Sequence, residues 1–178
     1  MIIQCTKKLL YQLKKNPETV NVEKPLTSWH ANLIIVNRRK TVVLVNDKNR
    51  YVIVLHGLKA NEFKNMDEII LQSIRNTFEQ ESIKNDVIEQ FIDSSKNITY
   101  SNTKNRTLVS RMNKACETLC FLERLIDNDT IYQTALSRKI SRLLVGDGKK
   151  EYIYPNQEMY KDLKAFAGIS IFQSNVDG

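Results

Sequence analysis

Histidine, cysteine, proline and glycine are all scarce in this chain of 178 residues, which has two His, three Cys, three Pro and five Gly. Two histidines leave only His30 and His56 for imidazole chemistry. The GxSxG, HExxH and P-loop patterns are absent, so no familiar catalytic spacing is present. An odd number of cysteines argues against a disulfide framework and for a reducing cytoplasm. Cys116 and Cys120 lie four apart in a helical pattern. With neither histidine near them in sequence, they read as buried thiols rather than metal ligands. Low Gly and Pro exclude collagen-like and low-complexity chains. No apolar run approaches the roughly 20 residues of a membrane span. The start, MIIQCTKKLLYQLKK, lacks the long apolar stretch and small-residue cleavage site of a secretion signal. A soluble cytoplasmic protein without a membrane partner, metal or cofactor is expected.

What is present is an ordinary globular composition, 42% apolar. A chain of this length suits one domain over 1–178 and can bury roughly 70% of its extended-chain surface. Ile2 to Cys5 reads as a strand leading into a helix capped by Thr6. Residues 31–36, 41–45 and 51–55 are β-branched-rich runs separated by NRRK and NDKNR, which predicts a three-stranded antiparallel meander. TVVLV and YVIVL are apolar at both parities, so both faces of their sheet must be covered, by helices or by a second copy of the chain.

Beyond Gly57 the period becomes helical. Asp67 is read as the cap of a helix carrying Ile70, Ile74 and Phe78, and Val87, Ile88, Phe91 and Ile92 mark a second helix. Both are acidic on their outer side. NITYS, residues 97–101, is a candidate further strand. Leu108, Met112, Ala115, Leu119, Leu122 and Ile126 step by threes and fours along a long helix with one buried stripe. A helix capped at Asp127 or Asp129 follows, then a GDGKK turn, and a last helix runs from near Pro155 to Gly168. The expected architecture is α+β: a mainly antiparallel sheet in 1–58, formed by the N-terminal strand and the meander with one N-terminal helix, packed with a mostly helical 60–168, and a tail at 169–178.

The net charge of +7 is unevenly spread. Residues 1–65 hold 12 Lys and Arg against 4 Asp and Glu, residues 66–103 hold 3 against 7, and residues 104–178 hold 12 against 9. Such asymmetry suits a phosphate-rich partner, although abundant Lys and Asn also arise as a compositional habit. Two basic groups are candidate nucleic-acid contacts: Arg38, Arg39 and Lys40, and the helical strip Arg138, Lys139 and Arg142. Alternate connections of a meander lie at opposite ends of the sheet, so Arg50 is expected apart from Arg38–Lys40. The same basic residues also have a purely structural use, since they discourage edge-to-edge pairing of a sticky sheet. Tyr152, Tyr154 and Tyr160, near Lys149 and Lys150, suit base stacking or plain packing equally. For catalysis only His30 and Arg50 stand out, with Asp47, Arg106, Arg111 and Glu117 as the groups an acid–base or phosphate-clamping set would draw on. No spacing ties these to a histidine, which weighs against an enzyme.

The stretches SWHANLIIVNRRKTVVLVNDKNRYVIVLHGLKANEFKN, RTLVSRMNKACE and SRLLVGDGKKEYIYPNQEMYKDL resemble an uncharacterised bacterial domain family, over nearly the whole chain to about Phe172. That family occurs as a stand-alone protein or fused to a plasmid ORF-3-like domain, which implies a mobile-element or defence setting by association only. Three readings follow: a nucleic-acid-binding module, a small phosphate-processing enzyme or toxin-like protein using His30, and a homo-oligomeric interaction module whose sheet pairs across a two-fold axis.

Overall fold

The strand-forming runs assemble into one sheet. In the computed structural model, which describes residues 1–21, 23–146, 148 and 151–173, β1 (Ile2–Cys5), β2 (Ser28–Val36), β3 (Arg39–Asn46), β4 (Val52–His56) and β5 (Thr99–Asn102) lie in the order β4-β3-β2-β1-β5. β2, β3 and β4 pair antiparallel, with Val36 opposite Arg39 and Val42 opposite Leu55. β1 runs parallel to both β2 and β5. The meander is therefore antiparallel as expected, while the sheet as a whole is mixed. The segment between β1 and β2 carries α1 (Lys7–Leu13) and is long enough for a parallel crossover. The NITYS stretch supplies β5.

Side-chain parity divides the core in two. Val42, Leu44, Ile53 and Leu55 join Ile3, Trp29, Ala31 and Leu33 on one face. There they pack against α1, α2 (Ala60–Lys64), α3 (Met66–Gln80), α4 (Asn85–Ser95) and α7 (Pro155–Ala167). Val43, Val45, Val52 and Val54 point the other way, against Met112, Ala115, Cys116 and Leu119 of α5 (Arg106–Phe121) and Leu136 and Ile140 of α6 (Thr134–Ser141). Both faces of the meander are thus covered by helices of the same chain. Each fully buried Val, Leu or Ile contributes roughly 1.5–3 kcal/mol through water exclusion. The long-helix stripe is realised on α5 at Met112, Ala115 and Leu119, with Leu108 half-buried; the helix ends at Phe121, earlier than the pattern predicts, so Leu122 and the buried Ile126 flank a short 3-10 turn at Glu123–Leu125 instead.

Several helix starts differ from the sequence reading, for identifiable reasons. Thr6 precedes α1, but its hydroxyl donates to Asn32 Oδ1 at 2.9 Å instead of capping the helix. Asn65, not Asp67, flanks α3; the Asp67 carboxylate accepts from the Tyr100 hydroxyl at 2.7 Å and ties α3 to β5. α6 begins at Thr134 rather than at Asp127 or Asp129. The buried Gln133 side chain bonds Asp127 N, Asp127 O and Thr130 O, folding that stretch into a turn. α7 agrees, with Pro155 at its first position and Gly168 closing it at φ 68°.

β4 is an edge strand, and α6 occupies that edge. Val54 N donates to Ser137 Oγ and Val52 N to Ser141 Oγ, both at 2.9 Å, from serines one helical turn apart. His56 N donates to Ile131 O and Gln133 N to Val54 O. Hydroxyls and loop backbone thus replace the missing neighbouring strand. Ser137→Ala would leave the Val54 N–H buried without its acceptor, and a loss of roughly 1–3 kcal/mol is expected in urea unfolding. Native-state exchange of the Val54 amide should accelerate in parallel.

Candidate anion-binding site

The connection NDKNR between β3 and β4 is built by its own side chains. Asn46 Oδ1 accepts from Lys48 N and Asn49 N, and Asn46 Nδ2 donates to Leu26 O. Asn49 Oδ1 accepts from Tyr51 N. Asn46, Asp47 and Asn49 are buried, and Lys48 pairs with Asp162 at 2.8 Å. Arg50 takes a left-handed backbone, φ 67°, and sends its guanidinium out to Gly146 O. Of the two cations in this connection, Lys48 is paired with a carboxylate and Arg50 is directed to a surface site.

That site is an open concavity of about 460 Å³ lined by Arg50, Arg106, Thr107, Ser110, Arg111, Lys114, Gly146 and Gly148. Three separate parts of the chain contribute: the β3–β4 turn, the first half of α5, and the end of a small hairpin of β6 (Val145–Gly146) and β7 (Tyr152–Ile153). The cations accumulate against ordinary electrostatic preference. Burial, then the neighbouring charge of Arg111, pull the Arg50 guanidinium below its usual value. The first turn of α5 holds no acid and instead places Arg106 at the positive end of the helix dipole. Asn105 caps that end, accepting from Leu108 N at 3.1 Å. Lys114 also meets Glu117 at 3.1 Å, in a solvent-exposed pair of the weak kind. No acidic residue lines the concavity among the described residues. An anion placed there would relieve the crowding of like charge.

Arg38, Arg39 and Lys40 lie at the opposite end of the sheet, as the meander geometry requires. Asn37 and Arg38, with φ of 49° and 62°, form the two-residue hairpin turn. Arg39 and Lys40 already belong to β3. Together with Gly57, Leu58 and Lys59 the three line a separate concavity of about 390 Å³. Lys40 is engaged, donating to Gln12 at 2.7 Å and lying 5.7 Å from the Phe63 ring centre. Arg38 and Arg39 are exposed.

The strip Arg138, Lys139 and Arg142 does not present its charges as a set. Arg142 forms a two-pronged pair with Glu81, and Arg138 Nε lies 3.3 Å from the same carboxylate, while Lys139 is exposed. Glu81 is 5% exposed and also accepts from the Tyr51 hydroxyl at 2.6 Å and the Tyr160 hydroxyl at 2.8 Å. Burial pushes this carboxyl up, but hydrogen bonds from Arg142, Tyr51 and Tyr160 outweigh it and hold it below the ordinary range. The sequence reading assigned acidic residues here to an outer face and missed this one. The available signal was an acid at the C-terminus of α3, where the helix dipole disfavours it unless cations lie nearby.

His30 and Arg50 are not brought together. His30 is 1% exposed, its Nδ1 is 2.7 Å from Asp47 Oδ1, and Asp47 Oδ2 accepts from Gln4 Nε2 at 2.6 Å. This chain of side chains links β1, β2 and the β3–β4 turn inside the protein, and His30 is not among the residues lining the Arg50 concavity. His56 is also buried, with Nδ1 2.8 Å from Thr41 Oγ1, and burial together with Arg39 lowers its basicity. The cysteine pair divides: Cys116 is buried, which pushes its thiol up to about 11, while Cys120 is exposed. Among the described residues no group of three or more His, Cys, Asp or Glu could hold a metal ion. No helix among them is long and apolar enough to cross a membrane. In the predicted GDGKK turn, Asp147, Lys149 and Lys150 lie outside the described residues.

Nothing among curated proteins or solved structures matches the chain. A family model does, over residues 2–158, which span the sheet, the concavity and the Glu81 cluster apart from Tyr160. The chain belongs to that family, a domain of unknown function, DUF6933.

Proposed function

We propose that this protein is a nucleic-acid-binding module whose principal contact surface is the concavity of Arg50, Arg106, Arg111 and Lys114. The observation that carries this reading is the convergence of four cationic side chains, from a turn and a helix far apart in sequence, around one open site without an acidic lining residue among those described. Nearly all non-specific affinity for nucleic acid comes from such contacts with phosphate. Arg38, Arg39 and Lys59 supply a lesser second contact at the far end of the sheet. A mobile-element or defence setting accords with this reading.

Anisotropy of short labelled DNA and RNA across a salt series tests it. About three phosphate contacts, at Arg50, Arg106 and Lys114, should give a log–log salt slope of roughly −2 to −3. Arg106→Glu together with Lys114→Glu should weaken binding by at least tenfold and flatten the slope by roughly two, about one for each phosphate that is no longer neutralised. Arg38→Glu should have a smaller effect. Binding that is absent at low salt, insensitive to salt, or unaffected by the double reversal would overturn the proposal.

A further inference from the structure

The concavity has an aromatic neighbour on the hairpin that forms one of its walls. β6 and β7 pair antiparallel, with Gly146 opposite Tyr152. Residues directly opposite each other on a ribbon share one face, so the position beside the Tyr152 ring carries no side chain. A Cβ built on Gly146 meets nothing within 4 Å, which makes this open space. Tyr152 is itself 71% exposed, and Tyr154, next along the chain after Ile153, is 42% exposed. Gly146 is at the same time a lining residue of the basic site and the backbone acceptor for Arg50. One residue thus connects a cluster of cations to an uncovered aromatic face.

We infer, building on the reading above, that the site takes single-stranded nucleic acid, with a base stacked on Tyr152 while the adjoining phosphates meet Arg50, Arg106 and Lys114. Stacking on an exposed ring requires a base free of its partner, which a duplex does not offer. An exposed ring beside a cationic groove is the combination used for sequence-tolerant single-strand binding. Phosphate contact alone would favour a duplex equally or more, because its charge density is higher. The strand preference therefore reports on the ring separately from the cations.

The test compares a labelled single-stranded oligonucleotide, the duplex of the same sequence, and inorganic polyphosphate as a competitor that has charge but no base. Tyr152→Ala should weaken single-strand binding by roughly 5- to 150-fold, the range for loss of one stacked base. Tyr152→Phe should retain most of the affinity, and polyphosphate should compete equally well against the protein with either residue. The inference is overturned if Tyr152→Ala leaves single-strand affinity within about twofold, if it weakens polyphosphate as much as the oligonucleotide, or if the duplex binds as tightly as the single strand. Those three results would leave the phosphate-binding reading standing, provided the double reversal at Arg106 and Lys114 still weakens binding at least tenfold. No binding of any polyanion at low salt would overturn both.

Discussion

Glu81→Ala should destabilise the protein by roughly 3 kcal/mol or more, the order seen when one partner of a buried ion pair is removed. The reason lies in what the carboxylate holds. Both its oxygens are shared among the Tyr51 and Tyr160 hydroxyls and the Arg142 guanidinium, with Arg138 adjacent. The arginines reach solvent and recover part of their hydration, but the Tyr51 hydroxyl is buried and would lose its acceptor. Glu81→Gln keeps one acceptor oxygen and should lose less. Urea unfolding monitored by circular dichroism measures both. The pH dependence has a definite sign. Because the folded carboxyl titrates below its ordinary value of 4.5, its stabilisation is present above that value and is lost as pH falls through the lower folded one. Wild type should therefore lose stability on acidification more steeply than Glu81→Gln. Equal stability of wild type and Glu81→Ala would show that the cluster is energetically idle.

Asp47→Ala is expected to cost about 2–6 kcal/mol, since each of two buried donors, Gln4 Nε2 and His30 Nδ1, would lose its acceptor at roughly 1–3 kcal/mol apiece. Asp47→Asn, similar in shape, should fall between the alanine variant and wild type, because its amide can accept from only one of the two. His30→Ala should reduce stability without changing the affinity for polyanion, as His30 is buried away from the Arg50 concavity. A His30→Ala protein that is fully stable but has lost a reproducible phosphate-processing activity would reverse that assignment of roles. Chemical denaturation and polyanion titration on the same samples separate the outcomes.

The meander illustrates what local patterning reaches. Runs of β-branched residues with connections too short for a crossover can only pair antiparallel, and apolar residues at both parities can only be buried on both sides. The separation of Arg38 and Arg39 from Arg50 followed from the same geometry. For the strip Arg138, Lys139 and Arg142, helical period places Arg138 and Arg142 on one side without saying what lies opposite. A carboxylate 57 residues before Arg138, Glu81, pairs with both arginines. Ser137 and Ser141 likewise looked like ordinary polar positions. Their role as acceptors for β4 exists only because α6 lies along a sheet edge.

By itself, then, the sequence determined the α+β class, the antiparallel meander, its need for cover on two faces, the α5 stripe and the bounds of α7. Each depends on periodicity or connection length, which act within a few residues of one another. Only the tertiary structure decided that cover comes from the chain's own helices, that β1 enters the sheet parallel, and that His30 is an internal strut. It also brought Arg50 to Arg106, Arg111 and Lys114, across more than 50 residues of chain. Those outcomes depend on which buried polar group finds which partner, and on which cations converge at the surface. Such pairings are settled between elements distant in sequence, where no local period records them.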